Sequence, residues 1–208
     1  MISGLTPDFV AEKKTANMAL EIRKARMQDI APVVELINGY AARGIMLPRT
    51  EFEISEHIRD FSVASSEGRF VGCGALHFYS PTVAEIRSVA VAESAKTHGV
   101  GRKLVDALVD EAQQYALDAV FAFTYVADFF RKLGFEEVER GELPLKAWKD
   151  CLRCPKFQCC DEVAMVRILR PDHWLHHPPK WAYDSPLEGE APPVVLPIVQ
   201  KKPISPGV

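Results

Sequence analysis

Residues 96–101, KTHGVG, set two glycines in a short turn between an apolar run and a helical pattern. A turn partly free of Cβ atoms that runs straight into a helix leaves the first helical N–H groups unpartnered and pointing outward, which makes an anion site. The dinucleotide fingerprint needs a third glycine and the P-loop needs Gly-Lys-Ser/Thr, so the turn matches neither. A second concentration of reactive groups is CLRCPKFQCC, which holds Cys151, Cys154, Cys159 and Cys160, four of the five cysteines. The adjacent pair and the short spacings argue against an ordinary disulfide framework. Four thiolates could close a tetrahedral zinc site, as could three with His173, His176 or His177. The repeated C-x2-C of a zinc ribbon is missing, so free thiols are the favoured reading.

The elements that must position these groups alternate between residues 19 and 169. ALEIRKAR reads as a strand, and Ile30, Val33, Val34, Ile37 and Ala41 then fall at helical spacing behind Asp29, a candidate cap. Thr50 with Glu53 forms a capping-box pattern for a second helix running to Phe61. FSVASSEGRFVGCGALHFY is a hairpin turning at SSEG, and VAEIRSVAV a further strand. After the glycine turn, Val100, Leu104, Leu108 and Tyr115 mark one face of a helix to about residue 117. AVFAFTY is apolar enough for a central strand covered on both faces. VADFFRKLG is a short helix stopped by Gly134, and FEEVERGEL and DEVAMVRIL are the last strands. The sum is a mixed α/β (α+β) domain.

A chain of 208 residues suits one domain with extensions. Its 25 basic against 28 acidic residues give no general electrostatic reason to expect nucleic acid or an anionic membrane as partner. No apolar run approaches the ~20 residues of a bilayer span, and the start lacks the layout of a signal peptide, so a cytoplasmic location is expected. Residues 1–18 read as an N-terminal extension, 19–170 as the domain, and 171–208 as a tail with nine of the fifteen prolines. Such a segment should run extended. Its Trp174, Trp181, Tyr183 and VVLPIV leave docking on the domain, or on a second copy in a homo-oligomer, open beside disorder.

KTHGVG resembles the pyrophosphate loop of the GNAT acyl-CoA N-acetyltransferases, Gln/Arg-x-x-Gly-x-Gly/Ala, with Lys96 in the first place. The order of elements and FFRKLGF, with Phe130, Gly134 and Phe135, extend the resemblance over residues 19–169. GIMLPRTEFEISEHIRDFSV, VGCGALH, AEIRSVAV and the cysteine segment are similar to the acetyltransferase domain of N-acetylglutamate synthases in their short stand-alone bacterial form. The resemblance implies a GNAT fold, a mixed central sheet flanked by helices with strands splayed at the acyl-CoA site. It also implies acetyl-CoA as cosubstrate, L-glutamate as small-molecule substrate, direct attack in a ternary complex, and a place in arginine biosynthesis.

By the same resemblance, Ser88, Val89, Ala90 and Val91 would meet the pantetheine. Lys96, Thr97, His98, Gly99, Val100, Gly101, Arg102 and Lys103 would surround the phosphates, with the backbone rather than His98 as the working part. Glu85 would take the ammonium proton directly or through water, against the plainer reading of a strand carboxylate paired with Arg87. The family's thiolate-protonating tyrosine is Phe130 here, which leaves Tyr125 or water as the acid. Arg49, Arg87 and Arg26 are candidates to grip a substrate carboxylate, and Thr124 to hydrogen-bond the substrate. Glutamine, another amino acid or a peptide N-terminus remain alternative acceptors, and a non-catalytic acyl-CoA sensor remains an alternative class.

Overall fold

The computed structural model describes residues 20–140, 143, 154, 156 and 159–176. Seven strands form one sheet: β1 (Leu20–Lys24), β2 (Phe61–Ser66), β3 (Arg69–Phe78), β4 (Val83–Val91), β5 (Ala119–Thr124), β6 (Glu136–Val138) and β7 (Val163–Ile168). Their order is β1-β2-β3-β4-β5-β7-β6, and every pairing is antiparallel except β4 with β5. The helices are α1 (Ile30–Ala41), α2 (Glu51–Glu56), α3 (Val100–Gln114), α4 (Ala127–Arg131) and α5 (Pro171–His176).

Alternate residues of β3 show how the layers divide. Leu76 packs with Val105, Leu108 and Val109 of α3, whereas Cys73 and Ala75 pack with Val33, Ile37 and Ile54 of α1 and α2. Successive side chains of a strand face opposite ways, so the helices cover opposite faces of the sheet. Two glycines make the α3 layer close: a Cβ at Gly72 would lie 3.2 Å from Leu104 Cδ1, and one at Gly74 would lie 3.1 Å from Leu108 Cδ1.

Local expectations held at most elements and failed at their ends. The Thr50 capping box forms, with Glu53 N–H donating to Thr50 Oγ1 at 3.2 Å and Thr50 N–H to Glu53 Oε2 at 2.8 Å. The helix nevertheless stops at Glu56, and a 3-10 turn, Ile58–Asp60, delivers Phe61 to β2. Asp29 precedes α1, but its side chain caps no helical N–H. Its oxygens accept from both terminal nitrogens of Arg23, at 2.7 and 2.9 Å, and from the Arg26 N–H. Arg23, together with that N–H, holds the Asp29 carboxyl below the usual range despite its burial.

The buried face of α3 is Val100, Leu104, Val105, Leu108, Val109 and Ala112, and the helix ends before Tyr115, which is exposed. β6 keeps only three residues of the expected FEEVERGEL strand. Beyond residue 170 the chain does not run extended at once: Pro171, whose missing N–H costs nothing at a helix start, opens α5, and Trp174 packs beside Phe121 and Leu143. Trp181, Tyr183 and VVLPIV lie outside the described residues, as do residues 1–18. Among the described residues no helix is long and apolar enough to cross a membrane.

Candidate active site

β4 and β5 are paired only at their feet, Val83–Glu85 against Ala119–Phe121, although β4 continues to Val91 and β5 to Thr124. Beyond Glu85 the strands separate, and the gap opens into a cavity of about 910 Å³. The splay has a partner on the other edge of β4. Between Cys73–Ala90 and Ala75–Arg87 the register slips by one residue, so β4 carries a bulge at Ser88 and Val89. Ser88 adopts φ 54, the left-handed region that few side chains occupy. A bulge turns backbone groups out of the ladder and bends its strand, here beside the cavity. Both Ser88 and Val89 line it.

The glycine turn forms the far end of the same cavity. Gly99 takes φ 73 as the residue before α3, and Thr97 takes φ 71. Nothing in the protein lies within 4 Å of a Cβ placed on Gly99, so among its own neighbours only its backbone conformation calls for glycine. A Cβ on Gly101 would meet Phe129 and Val91 at ordinary contact distances, 3.5–3.7 Å. Lys96, Thr97, Gly99, Val100, Gly101 and Arg102 line the cavity, with the opening turn of α3 among them. The Lys96 ammonium is 2.8 Å from Glu93 Oε1 and 5.2 Å from the centre of the Tyr40 ring. Arg102 donates to the Lys132 carbonyl at 3.1 Å, joining the start of α3 to the end of α4.

At the fork of the V stands Glu85, a buried carboxylate on the α1/α2 side of the sheet. Tyr79 Oη donates to its Oε2 at 3.1 Å, and Arg87 Nη1 is 3.8 Å from the same oxygen. The Tyr79 ring is fixed by Phe121 and His77, at centroid distances of 5.5 and 5.1 Å. Arg49 enters from the segment before α2, its backbone clamped by the Asn38 amide, which donates to Arg49 O and accepts from Arg49 N–H, both at 2.9 Å. Its guanidinium lies 4.0 Å from Glu53. Arg49, Glu85 and Arg87 therefore share one cavity with the glycine turn.

The opposite wall is β5 and the segment that connects it to α4. Thr124 is buried, and its Oγ1 accepts from Val126 N–H at 3.0 Å, so it fixes the turn into α4 as well as facing the cavity. Tyr125 lines the cavity with Lys156 Nζ 4.8 Å from its ring centre. Burial, helped by the charge of Glu162 and opposed by Lys156, pushes its phenol above the usual value. Phe130 also borders the cavity but sits edge-on between Phe129 and Phe135 in the core, without a polar atom to give a proton.

Several candidates are not brought to this place. Arg26 is exposed and does not line the cavity, because its short turn is organised by Asp29 and Arg23. His98 sits outside it, with Nδ1 3.0 Å from Lys96 O inside the loop, and Lys103 points elsewhere on the exposed side of α3. The Ala90 side chain is packed under α1, which leaves only its backbone to the site. Of the cysteines, Cys154 and Cys160 line the cavity, and Cys160 Sγ lies 3.8 Å from Glu162 Oε2. Among the described residues the sulfurs of Cys154, Cys159 and Cys160 do not converge into a metal-ligand group. Cys151 and His177 lie outside those residues, the His176 side chain is likewise undescribed, and His173 Nδ1 is 2.8 Å from buried Asp118.

Sequence reasoning missed Tyr79, Asn38, Arg140 and Glu162. Arg140 donates to the Glu162 and Cys160 carbonyls and closes the wall near Tyr125, while burial pushes the Glu162 carboxyl up against the pull of Arg140. Tyr79 was detectable only by its parity just past the end of β3, since its contact with Glu85 crosses from one strand to the next.

The chain matches the family model described as the acetyltransferase (GNAT) family over residues 34–135. It is 43% identical over 148 residues to an uncharacterized N-acetyltransferase of Chlorobaculum tepidum, covering 71% of this chain and 96% of that protein. It is 36% identical to an amino-acid acetyltransferase of Mycobacterium tuberculosis, over 64% of this chain and 77% of the relative. Among solved structures, N-acetylglutamate synthase from Neisseria gonorrhoeae in complex with coenzyme A and N-acetyl-glutamate superposes with a TM-score of 0.67 at 28% identity. That superposition covers 73% of this chain but 35% of the synthase.

Proposed function

The chain belongs to the acetyltransferase (GNAT) family, and from that premise we propose that it acetylates the α-amine of L-glutamate. Acetyl-CoA-dependent N-acetyltransfer is the activity of the family; the acceptor is the proposal. The observation that carries it is the convergence of Arg49 and Arg87 with Glu85 on the cavity that also holds the glycine turn. A glutamate offers two carboxylates and one ammonium, and at the end of the cavity away from the glycine turn Arg49 and Arg87 offer guanidinium groups and Glu85 a buried carboxylate in return. Two relatives point the same way, one named an amino-acid acetyltransferase and one solved with N-acetyl-glutamate.

The cavity also fits the acetyl donor. The opening N–H groups of α3, with Gly99 and Gly101 sparing the space of side chains, suit the pyrophosphate. The unpaired inner edge of β4 beyond Glu85 suits the amide groups of pantetheine. When bound, acetyl-CoA supplies an activated thioester.

The protein's own contribution is chiefly positioning and proton handling. Glu85 takes the ammonium proton so that the amine lone pair becomes available, with Tyr79 fixing the carboxylate. Arg49 and Arg87 hold the substrate carboxylates and set its distance from the bulge. Tyr125, a phenol on the cavity wall, supplies the proton that the departing sulfur requires.

An acetyl-CoA consumption screen across the amino acids and short peptides tests the acceptor, with the product identified by mass. The expected result is the highest kcat/KM for glutamate. Efficient acetylation of a peptide N-terminus with neither glutamate nor glutamine used would overturn the proposal.

A further inference from the structure

On the α1/α2 side of the sheet, outside the cavity, His57, Asp60 and His77 turn their ligand atoms toward one another. Asp60 Oδ2 is 2.7 Å from His77 Nδ1 and 3.7 Å from His57 Nδ1, and the three groups lie within 4.8 Å of each other. We propose that these residues form a binding site for a divalent transition metal of the zinc class.

Zinc binds imidazole nitrogen and carboxylate oxygen at about 2.0–2.2 Å, which puts the ligand atoms of a tetrahedral site about 3.3 Å apart. The two observed contacts fall on either side of that value, so a small rotation of the histidine rings accommodates the ion. Neutral imidazoles and one carboxylate are the ligand set that suits zinc, cobalt and nickel rather than magnesium or calcium. Three protein ligands leave a fourth position for water. All three side chains are part-buried, which leaves the ion a route from solvent.

The scaffold is fixed independently of any ion. His57 closes α2, Asp60 ends the 3-10 turn with its N–H donating to His57 O at 2.9 Å, and His77 stands on β3. The His57 and His77 rings meet edge-on at 5.3 Å, and the His77 and Tyr79 rings edge-on at 5.1 Å. His77 is the cross-strand partner of Glu85, so the site adjoins the catalytic floor without sharing a ligand with it.

The cysteine segment is the competing binder, and cobalt separates the two. The full chain, stripped with a chelator, is titrated with Co2+ and followed by its visible ligand-field bands. We expect one equivalent bound without a thiolate charge-transfer band in the near ultraviolet, and displacement by Zn2+. His57→Gln and His77→Gln should each weaken binding at least tenfold. His57→Gln leaves the His77–Asp60 contact in place, so it tests the site without endangering the fold, and circular dichroism of each variant verifies this. No saturable binding, a charge-transfer band accounting for all bound cobalt, or unchanged affinity in either folded variant would overturn the site.

Discussion

The two ends of the cavity are built by different means. At the glycine turn the recognition groups are backbone N–H donors, supplied by consecutive residues, and side chains matter mainly by being absent from Gly99 and Gly101. At the fork of β4 and β5 the working groups are side chains from separate segments: Arg49 before α2, Tyr79 after β3, Glu85 and Arg87 on β4, Tyr125 after β5. The turn needs a local conformation, whereas the fork needs a whole sheet to bring its members together. Substitutions at the turn should therefore act on acetyl-CoA alone, and substitutions at the fork on the acceptor and the chemistry.

The sharpest separation is expected from Glu85→Gln. Loss of a positioned base should lower kcat by about 100-fold or more near neutral pH. The affinity for acetyl-CoA, read by calorimetry, should stay as in wild type. Because the amine would then have to shed its proton to solvent, activity should recover partly at high pH. An unchanged pH–rate profile would remove Glu85 from the reaction.

Next in size is Arg49→Lys, which keeps the charge and loses the planar two-point grip. The kcat/KM for glutamate should fall roughly tenfold or more. Comparison with glutamine identifies the carboxylate held: contact with the side-chain group narrows the preference for glutamate, and contact with the α-carboxylate costs both substrates equally.

Gly101→Ala tests the other end. The added Cβ meets only ordinary contacts, and alanine favours a helix over glycine by about 0.8–1 kcal/mol, so Tm should rise slightly. Acetyl-CoA binding should nonetheless weaken by roughly fivefold, near the worth of one hydrogen bond. A variant that gains stability and binds acetyl-CoA as tightly as wild type would show that close approach at Gly101 is not used.

The smallest effect is expected from Tyr79→Phe, which removes a donor to the Glu85 carboxylate while keeping the ring between Phe121 and His77. A hydrogen bond to the charged form favours that form, so its loss should move the acid limb of the rate profile to higher pH. The fall in kcat at neutral pH should be about threefold. A drop that is the same at every pH would mark Tyr79 as a packing residue only.

What the residues alone determined is what depends on near neighbours. KTHGVG specifies a glycine-relieved helix start, Thr50 with Glu53 specifies a cap, and the apolar alternation and runs specify the strands, because hydrogen bonds and side-chain direction in these features span only a few residues. The element order came from these local signals, and the family resemblance from stretches such as KTHGVG and FFRKLGF taken in that order. Tertiary structure decided the rest. Arg26 and Arg49 are both arginines on connecting segments, and only packing sends one to the cavity while Asp29 organises the turn around the other. The Tyr79–Glu85 bond and the Ser88 bulge depend on the register of β3 against β4, and a register is fixed by the packing of a whole face rather than by either strand. The cavity itself arises where β4 and β5 part after three paired residues, a divergence that neither strand's composition encodes, because it is a relation between them.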